Sequence, residues 1–154
     1  MRIAIAADHA GFHLKELLIN FLEEIGHEII NVGALEFNPA DDYPDFTLAA
    51  SLQVITRTAD RGIVLCGSGV GASIVANKVR GIRASLCHDT YSSRQGVEHD
   101  DMNLLCLGAR IVGEELAKEI VSVFVSSVFS GEKRHIRRLK KVSEIEESNM
   151  KSDG

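Results

Sequence analysis

Cysteine is scarce in this chain, and the three present, Cys66, Cys87 and Cys106, include no CxxC pair. That number and spacing argue against a disulfide framework or a zinc site, and read as reduced thiols in a cytoplasmic protein. Long apolar runs are also missing. None approaches the roughly 18 residues that cross a bilayer, so no membrane span or membrane partner is expected. The opening Met1-Arg2-Ile3-Ala4 is too short in apolar length for a signal peptide and reads at once as a strand. Excess positive charge is lacking too. The formal net charge of −5 argues against nucleic acid as a general partner. Proline occurs twice, and no repeat, low-complexity tract or linker divides the chain. What remains is 154 residues, 45% of them hydrophobic, enough for one ordinary domain with its own core. The expected organisation is a single domain over 1–148 with a polar, frayed tail over 149–154.

Short apolar runs alternate with helical stripes. Residues 2–7 suit a strand buried on both faces. From Phe12, the apolar residues Leu14, Leu17, Leu18, Phe21, Leu22 and Ile25 recur at helical spacing, and Gly26 follows as a stop. A second strand is predicted over 28–32, then a loop over 33–44 with Asn38-Pro39 and Tyr43-Pro44 as breakers. Asp45 is placed to cap a helix to about residue 57, with Phe46, Leu48, Ala49, Leu52 and Ile55 inward. The third strand ends at Cys66, and its helix covers 71–79. Strands four and five fall at 82–87 and 104–107, with a short helix near 90–97 between them. Gly113 opens a long helix. Its stripe of Leu116, Ile120, Val121, Phe124, Val125 and Val128 serves equally as core or as interface. A last helix starts in the basic segment 133–141 and continues to about Glu147.

Strands alternating with helices predict an α/β, Rossmann-like three-layer fold: a five-stranded parallel sheet, helices on both faces and a C-terminal helix extension. Ligands in such folds sit at the carboxyl ends of the strands. That edge collects Asp8 and His9, the segment 66–71, His88 and Asp89, and Gly108 and Arg110.

The strongest signal on that edge is Val64-Leu-Cys-Gly-Ser-Gly-Val-Gly-Ala72. A buried strand stops at Cys66 and gives way to Gly67, Gly69 and Gly71 at alternate positions. Glycines let backbone N–H groups approach a ligand and point at it. The following helix adds the positive end of its dipole. The result is a cradle for anionic oxygen, with a thiol at its lip whose thiolate form is favoured there. Free cysteines are more often buried and inert, and that reading suits Cys106 and Cys87. The glycine loop sets Cys66 apart as a nucleophile or a base.

The same loop matches the dinucleotide pattern GxGxxA, as Gly67-Ser-Gly69-Val-Gly-Ala72. That pattern normally follows the first strand of its unit, and here it follows the third. A non-catalytic nucleotide-binding module is the alternative reading. Asp8 and His9 are ligand contacts or plain turn residues. His99-Asp100-Asp101 lacks the supporting ligands of a metal site, whereas a histidine suits proton transfer at neutral pH. Arg134 and Arg138 share one helical face and could grip one phosphate, the plain alternative being a solvated face.

Together these residues resemble the type B ribose-5-phosphate isomerases, within the family that also holds galactose-6-phosphate isomerase subunits. The resemblance runs from Met1 to about Ile145. It is carried by Ala7-Asp8-His9-Ala10-Gly11-Phe12, Asp42-Tyr43-Pro44-Asp45, Cys66-Gly67-Ser68-Gly69-Val70-Gly71, Ala76-Asn77-Lys78, Gly81-Ile82-Arg83-Ala84, His99-Asp100-Asp101-Met102-Asn103, Gly108-Ala109-Arg110 and the Arg134/Arg138 pair. It implies interconversion of ribose 5-phosphate and ribulose 5-phosphate through an enediolate, with no metal and no organic cofactor.

Cys66 is then the implied carbon base, and His99 the acid/base that opens the sugar ring. Ser68 and the amides of Gly67, Gly69, Val70 and Gly71 form the implied anion hole. Asp8, His9, Tyr43 and Asp100 are implied substrate contacts, His9 near the phosphate end, and Arg110, Arg134 and Arg138 hold the phosphate. One or more of these arginines come from a second copy, in a homodimer or dimer of dimers with shared active sites. Many relatives carry Asn where this chain has Asp100, and a carboxylate accepts hydrogen bonds without donating them. Some relatives lack the cysteine and place a glutamate where Ala72 stands. Asp100 and the loop 33–42 are the expected determinants of sugar choice, the alternatives being erythrulose 4-phosphate, allose 6-phosphate and galactose 6-phosphate.

Overall fold

The structure, a computed structural model, describes residues 1–150. Of the expected frayed tail, residues 151–154 lie outside the described residues. The elements in order are β1 (Arg2–Ala7), α1 (Phe12–Glu24), β2 (Glu28–Asn31), α2 (Tyr43–Ile55), β3 (Arg61–Cys66), α3 (Val70–Ala76), β4 (Ala84–Leu86), α4 (Thr90–Asp100), β5 (Leu104–Gly108), α5 (Glu114–Ser126) and α6 (Lys133–Asn149). The sheet is parallel throughout, in the order β2-β1-β3-β5-β4.

Side chains alternate across a strand, so the central strands feed two cores. Ile3, Ile5, Ile63, Leu65, Leu105 and Leu107 pack with Leu18 and Leu22 of α1 and Ile120, Val121 and Phe124 of α5. On the other face Ala4, Ala6, Val64, Cys66 and Cys106 pack with Ala50 and Val54 of α2 and Ala72 and Ala76 of α3. This is the expected three-layer α/β arrangement. Parity puts Cys66 on the α2/α3 side, at the last position of its strand. The chain leaves β1 toward β2 on one side and leaves β3 toward β4 on the other. A crevice therefore opens where β1 and β3 end, the usual ligand position in such sheets.

Several expectations are corrected. Helix α2 starts at Tyr43, and Pro44 sits within its first turn instead of breaking the chain. A first-turn residue has no intrahelical donor to lose, so proline fits there. The inward face of α2 is Thr47, Ala50, Ser51 and Val54, while Leu48, Leu52 and Ile55 are exposed. Small residues let α2 lie close to the alanines of β1. The buried hydroxyls of Thr47 and Ser51 are satisfied by the carbonyls of Tyr43 and Thr47.

Helix α3 stops at Ala76 because Asn77 turns its amide to the edge strand. It accepts from Ala84 N–H and donates to Ala84 O, each at 2.9 Å. Strand β4 is shorter than expected, since Arg83 N–H donates to Asn103 Oδ1 at 2.8 Å and its guanidinium binds Asp101. Helix α4 is longer, carrying His99 and Asp100 in its last turn, and ends at Asp101 with φ +48°. On α5, Ile120, Val121, Phe124 and Val125 are core and Leu116 is exposed, whereas Val128, expected on the same stripe, lies exposed beyond the helix end at Ser126. Helix α6 runs on to Asn149.

Candidate active site

In the crevice between β1 and β3 lies a cavity of about 350 Å³ lined by Asp8, Tyr43, Cys66, Gly67, Ser68, Gly71, Arg110 and Ile111. Cys66 is 5% exposed, and Gly69 N–H donates to its Sγ at 3.1 Å. A backbone donor thus faces the atom that carries negative charge in a thiolate. Gly69 makes this possible with φ +78°, a conformation costly for other residues. Gly71 is required for a different reason. A Cβ there would stand 2.6 Å from the Tyr43 ring, which closes over the loop as a wall of the cavity.

Ser68 Oγ accepts from Val70 N–H at 3.3 Å, and Val70 points its side chain to solvent. Arg110 is held by two backbone bonds that tie the loop after β5 to the glycine loop. Ala109 N–H donates to Cys66 O at 2.8 Å, and Arg110 N–H donates to Gly67 O at 3.0 Å. Asp8 lines the cavity and also shapes the turn that leads into α1, its Oδ1 accepting from Ala10 and Gly11 N–H groups at 3.0 and 3.2 Å. The other thiols are of another kind. Burial pushes the Cys106 thiol far up and raises that of Cys87 as well. Both suit inert core residues.

His9 sits at the edge of this group. Its Nδ1 lies 2.7 Å from Asp41 Oδ1. Asp8, His9 and Asp41 each bring a candidate ligand atom within 4.8 Å of the others. The histidine–aspartate spacing is that of an N–H···O hydrogen bond, which accounts for the grouping without an ion. His88 and Asp89 serve the scaffold: His88 Nε2 accepts from Gly108 N–H at 3.3 Å, and Asp89 caps α4 through Ser92 N–H at 2.6 Å.

His99, Asp100, Arg134 and Arg138 do not line the Cys66 cavity. His99 stacks on His135 with ring centroids 4.0 Å apart and planes at 26°, and its Nδ1 lies 3.0 Å from Gln95 Nε2. Arg134 Nε pairs with Glu132 at 2.8 Å, and Arg138 is exposed one turn further along α6. Asp100 borders a separate groove of about 560 Å³ between α6 and the β4 edge, with Ile82, Met102, Leu139, Val142 and Ile145.

His135 is a residue that reading the sequence missed. It is 1% exposed, its Nδ1 lies 2.6 Å from Ser130 Oγ, and its Nε2 has no partner. Burial, then the charge of His99 and Arg134, hold its imidazole below the ordinary histidine range. The available signal was an imidazole between Arg134 and Arg138 in a run otherwise read as a solvated face. The molecule therefore carries two separate clusters: a thiol with an anion cradle at the sheet edge, and a histidine–arginine group where α4 meets α6.

The family described as Ribose/Galactose Isomerase matches residues 3–142. Ribose-5-phosphate isomerase B of Escherichia coli (strain K12) is 40% identical over 146 residues, which cover 95% of this chain and 97% of that protein. The solved structure of Clostridium thermocellum ribose-5-phosphate isomerase B superposes with a TM-score of 0.92 at 45% identity, covering 96% of this chain and 99% of the other. The structure of Mycoplasma genitalium ribose-5-phosphate isomerase B with bound ribulose 5-phosphate gives a TM-score of 0.91 at 35% identity, covering 96% and 97%.

Proposed function

The chain belongs to the ribose/galactose isomerase family, and on that premise we propose that it interconverts D-ribose 5-phosphate and D-ribulose 5-phosphate. It acts as one isomerase domain over residues 1–148. The observation that carries this reading is Gly69 N–H directed at Cys66 Sγ at 3.1 Å, in a cavity shared with Ser68 and Arg110.

Aldose–ketose isomerisation moves a proton between adjacent carbons and spreads negative charge over the two oxygens of an enediolate. Cys66, as thiolate, takes the proton from C2 and returns it to C1, so one base serves both carbons. The anion hole supplies donors fixed before the charge develops. Gly69 and Val70 N–H groups are engaged inside the loop, by Cys66 Sγ and Ser68 Oγ. The enediolate therefore falls to the amides of Gly67, Ser68 and Gly71 and to the Ser68 hydroxyl, whose proton is still free to donate. Asp8 and Tyr43 meet the sugar, and His9 and Arg110 the phosphate. No metal or organic cofactor takes part in these steps.

His99 opens the sugar ring, Asp100 contacts the substrate, and Arg134 and Arg138 complete the phosphate grip. None of these four lines the cavity of its own chain, which supports their arriving from a second copy. The working form is then a homodimer or dimer of dimers with shared sites. Leu48, Leu52 and Ile55 on α2, with Val70 and Ile74 on α3, are exposed on the helices that carry Tyr43 and Gly71, and supply apolar interface material. Three buried, unpaired thiols suit a reducing compartment such as the cytoplasm.

The test is kcat/KM for ribose 5-phosphate, erythrulose 4-phosphate, allose 6-phosphate and galactose 6-phosphate. Ribose 5-phosphate is expected to lead by about tenfold or more. A lead for another sugar phosphate overturns the substrate. NAD binding without any isomerisation overturns the catalytic reading.

A further inference from the structure

We propose that Asp41, on the loop between β2 and α2, is the positioning residue that fixes the His9 imidazole as a phosphate contact. This rests on the reading that His9 meets the substrate phosphate. The Asp41 side chain is only 9% exposed, against 29% for His9. Its Oδ1 accepts twice from the same residue, from His9 backbone N–H at 2.9 Å and from ring Nδ1 at 2.7 Å. An unrestrained imidazole turns about its broad terminal torsion and exchanges its two nitrogens. Binding backbone and ring to one oxygen removes that freedom and leaves Nε2 as the nitrogen for a ligand.

The hydrogen inventory then decides the chemistry. A carboxylate only accepts, so Nδ1 carries a hydrogen toward Asp41. That leaves Nε2 as the ring nitrogen turned toward the substrate phosphate. The contact to Asp41 is a charge-assisted hydrogen bond that holds the ring in this orientation.

Two further observations support a functional role over a purely structural one. Asp41 Oδ2 is buried with no partner. An unpartnered buried carboxylate oxygen costs stability, so this pairing is a poor device for fastening the loop. Fastening comes from elsewhere. Fully buried Lys15 donates from Nζ to Ala34 O at 2.6 Å and to Asn31 Oδ1 at 3.0 Å. The Phe37 ring stacks on His13 at 5.8 Å and meets Phe12 edge-on at 6.1 Å. The loop is therefore anchored to α1, the helix that begins three residues after His9, so the histidine and its partner share one support.

The experiment compares wild type, His9→Ala, Asp41→Ala, Asp41→Asn and the two double variants with His9→Ala, on ribose 5-phosphate. Nitrogen-15 NMR of the His9 ring in inorganic phosphate accompanies the kinetics. His9→Ala should raise KM by about tenfold with a smaller change in kcat. Asp41→Ala should match that rise alone, yet change KM by less than about twofold in the His9→Ala background. Asp41→Asn keeps the shape and an acceptor, and guards against misfolding of the alanine variant. It should raise KM by an intermediate factor that also vanishes in the His9→Ala background. The ring signal should show the Nδ1-protonated form fixed in wild type, and mixed tautomers in Asp41→Ala.

A KM rise for His9→Ala with none for either Asp41 variant, or effects that multiply in the double variants, overturns the positioning role. An unchanged KM for His9→Ala, or a wild type that does not isomerise, overturns the underlying reading instead. The ring signal still reports whether Asp41 sets the tautomer.

Discussion

At the scale of single residues, the site separates groups that take part in chemistry from groups that only look similar. Cys66 and Cys106 lie in adjoining strands of one sheet, yet only Cys66 meets a cavity and a backbone donor. Cys66→Ala should still bind ribose 5-phosphate but lose a factor of about 10³ in kcat, within the usual range for removing an acid–base group. Calorimetric binding and deuterium uptake at C2 from heavy water would check this, and full turnover would remove Cys66 from the mechanism. His135 gives a pH prediction. Its folded-state pKa lies below the ordinary value of 6.5, first because of burial. The unfolded chain therefore takes up a proton near pH 6.5 that the folded chain refuses until lower pH, so acidification favours unfolding. Between pH 7 and 5 the Tm of wild type should fall more steeply than that of His135→Phe, which keeps the stacked ring without the titration. Parallel curves would contradict this. Asp8, Cys66, Ser68 and Arg110 were legible in the sequence because strand ends in a parallel sheet converge whatever their sequence separation. Asp41 and His135 were not, because an aspartate in a polar loop and a histidine in a basic run look solvated until tertiary packing buries them.

At the scale of elements, helix existence was legible while helix orientation was less so. The stripe on α5 found the core because its apolar residues are large on one side only. On α2 the large residues Leu48, Leu52 and Ile55 lie outward, and the buried side is Thr47, Ala50, Ser51 and Val54. Phe46 packs on the core as expected, but hydrophobicity alone misplaces Leu48, Leu52 and Ile55, since close approach to the alanines of β1 calls for small side chains. The glycine loop was legible in composition, but the reason for Gly71 was not, because Tyr43 reaches it from another element. Gly71→Ala places a methyl group 2.6 Å from the Tyr43 ring, which must move. It should lower kcat/KM for ribose 5-phosphate by about tenfold or more and cost about 1–3 kcal/mol of stability. Gly113→Ala, where nothing lies within 4 Å, should change neither. Equal effects in enzyme assays and melting curves would refute the role given to the Tyr43 contact.

At the scale of the whole molecule, alternating strands and helices made the sheet and its ligand edge readable from the sequence. What the sequence left open was which residues share a cavity. His99, Arg134 and Arg138 belong to one motif set with Cys66, yet the fold gathers them with His135 at the α4–α6 contact, apart from the cavity. Chain order carries no record of which copy completes a site. Isomerisation at a site built from two copies is tested most directly by co-expressing Cys66→Ala and His99→Ala chains and assaying the mixture on ribose 5-phosphate. Each variant alone should be nearly inactive. If chains pair at random, half of the dimers are mixed and each holds one intact site, so activity should return to about one quarter of wild type. Two inactive variants that stay inactive when mixed, or either variant turning over fully alone, would contradict the shared site.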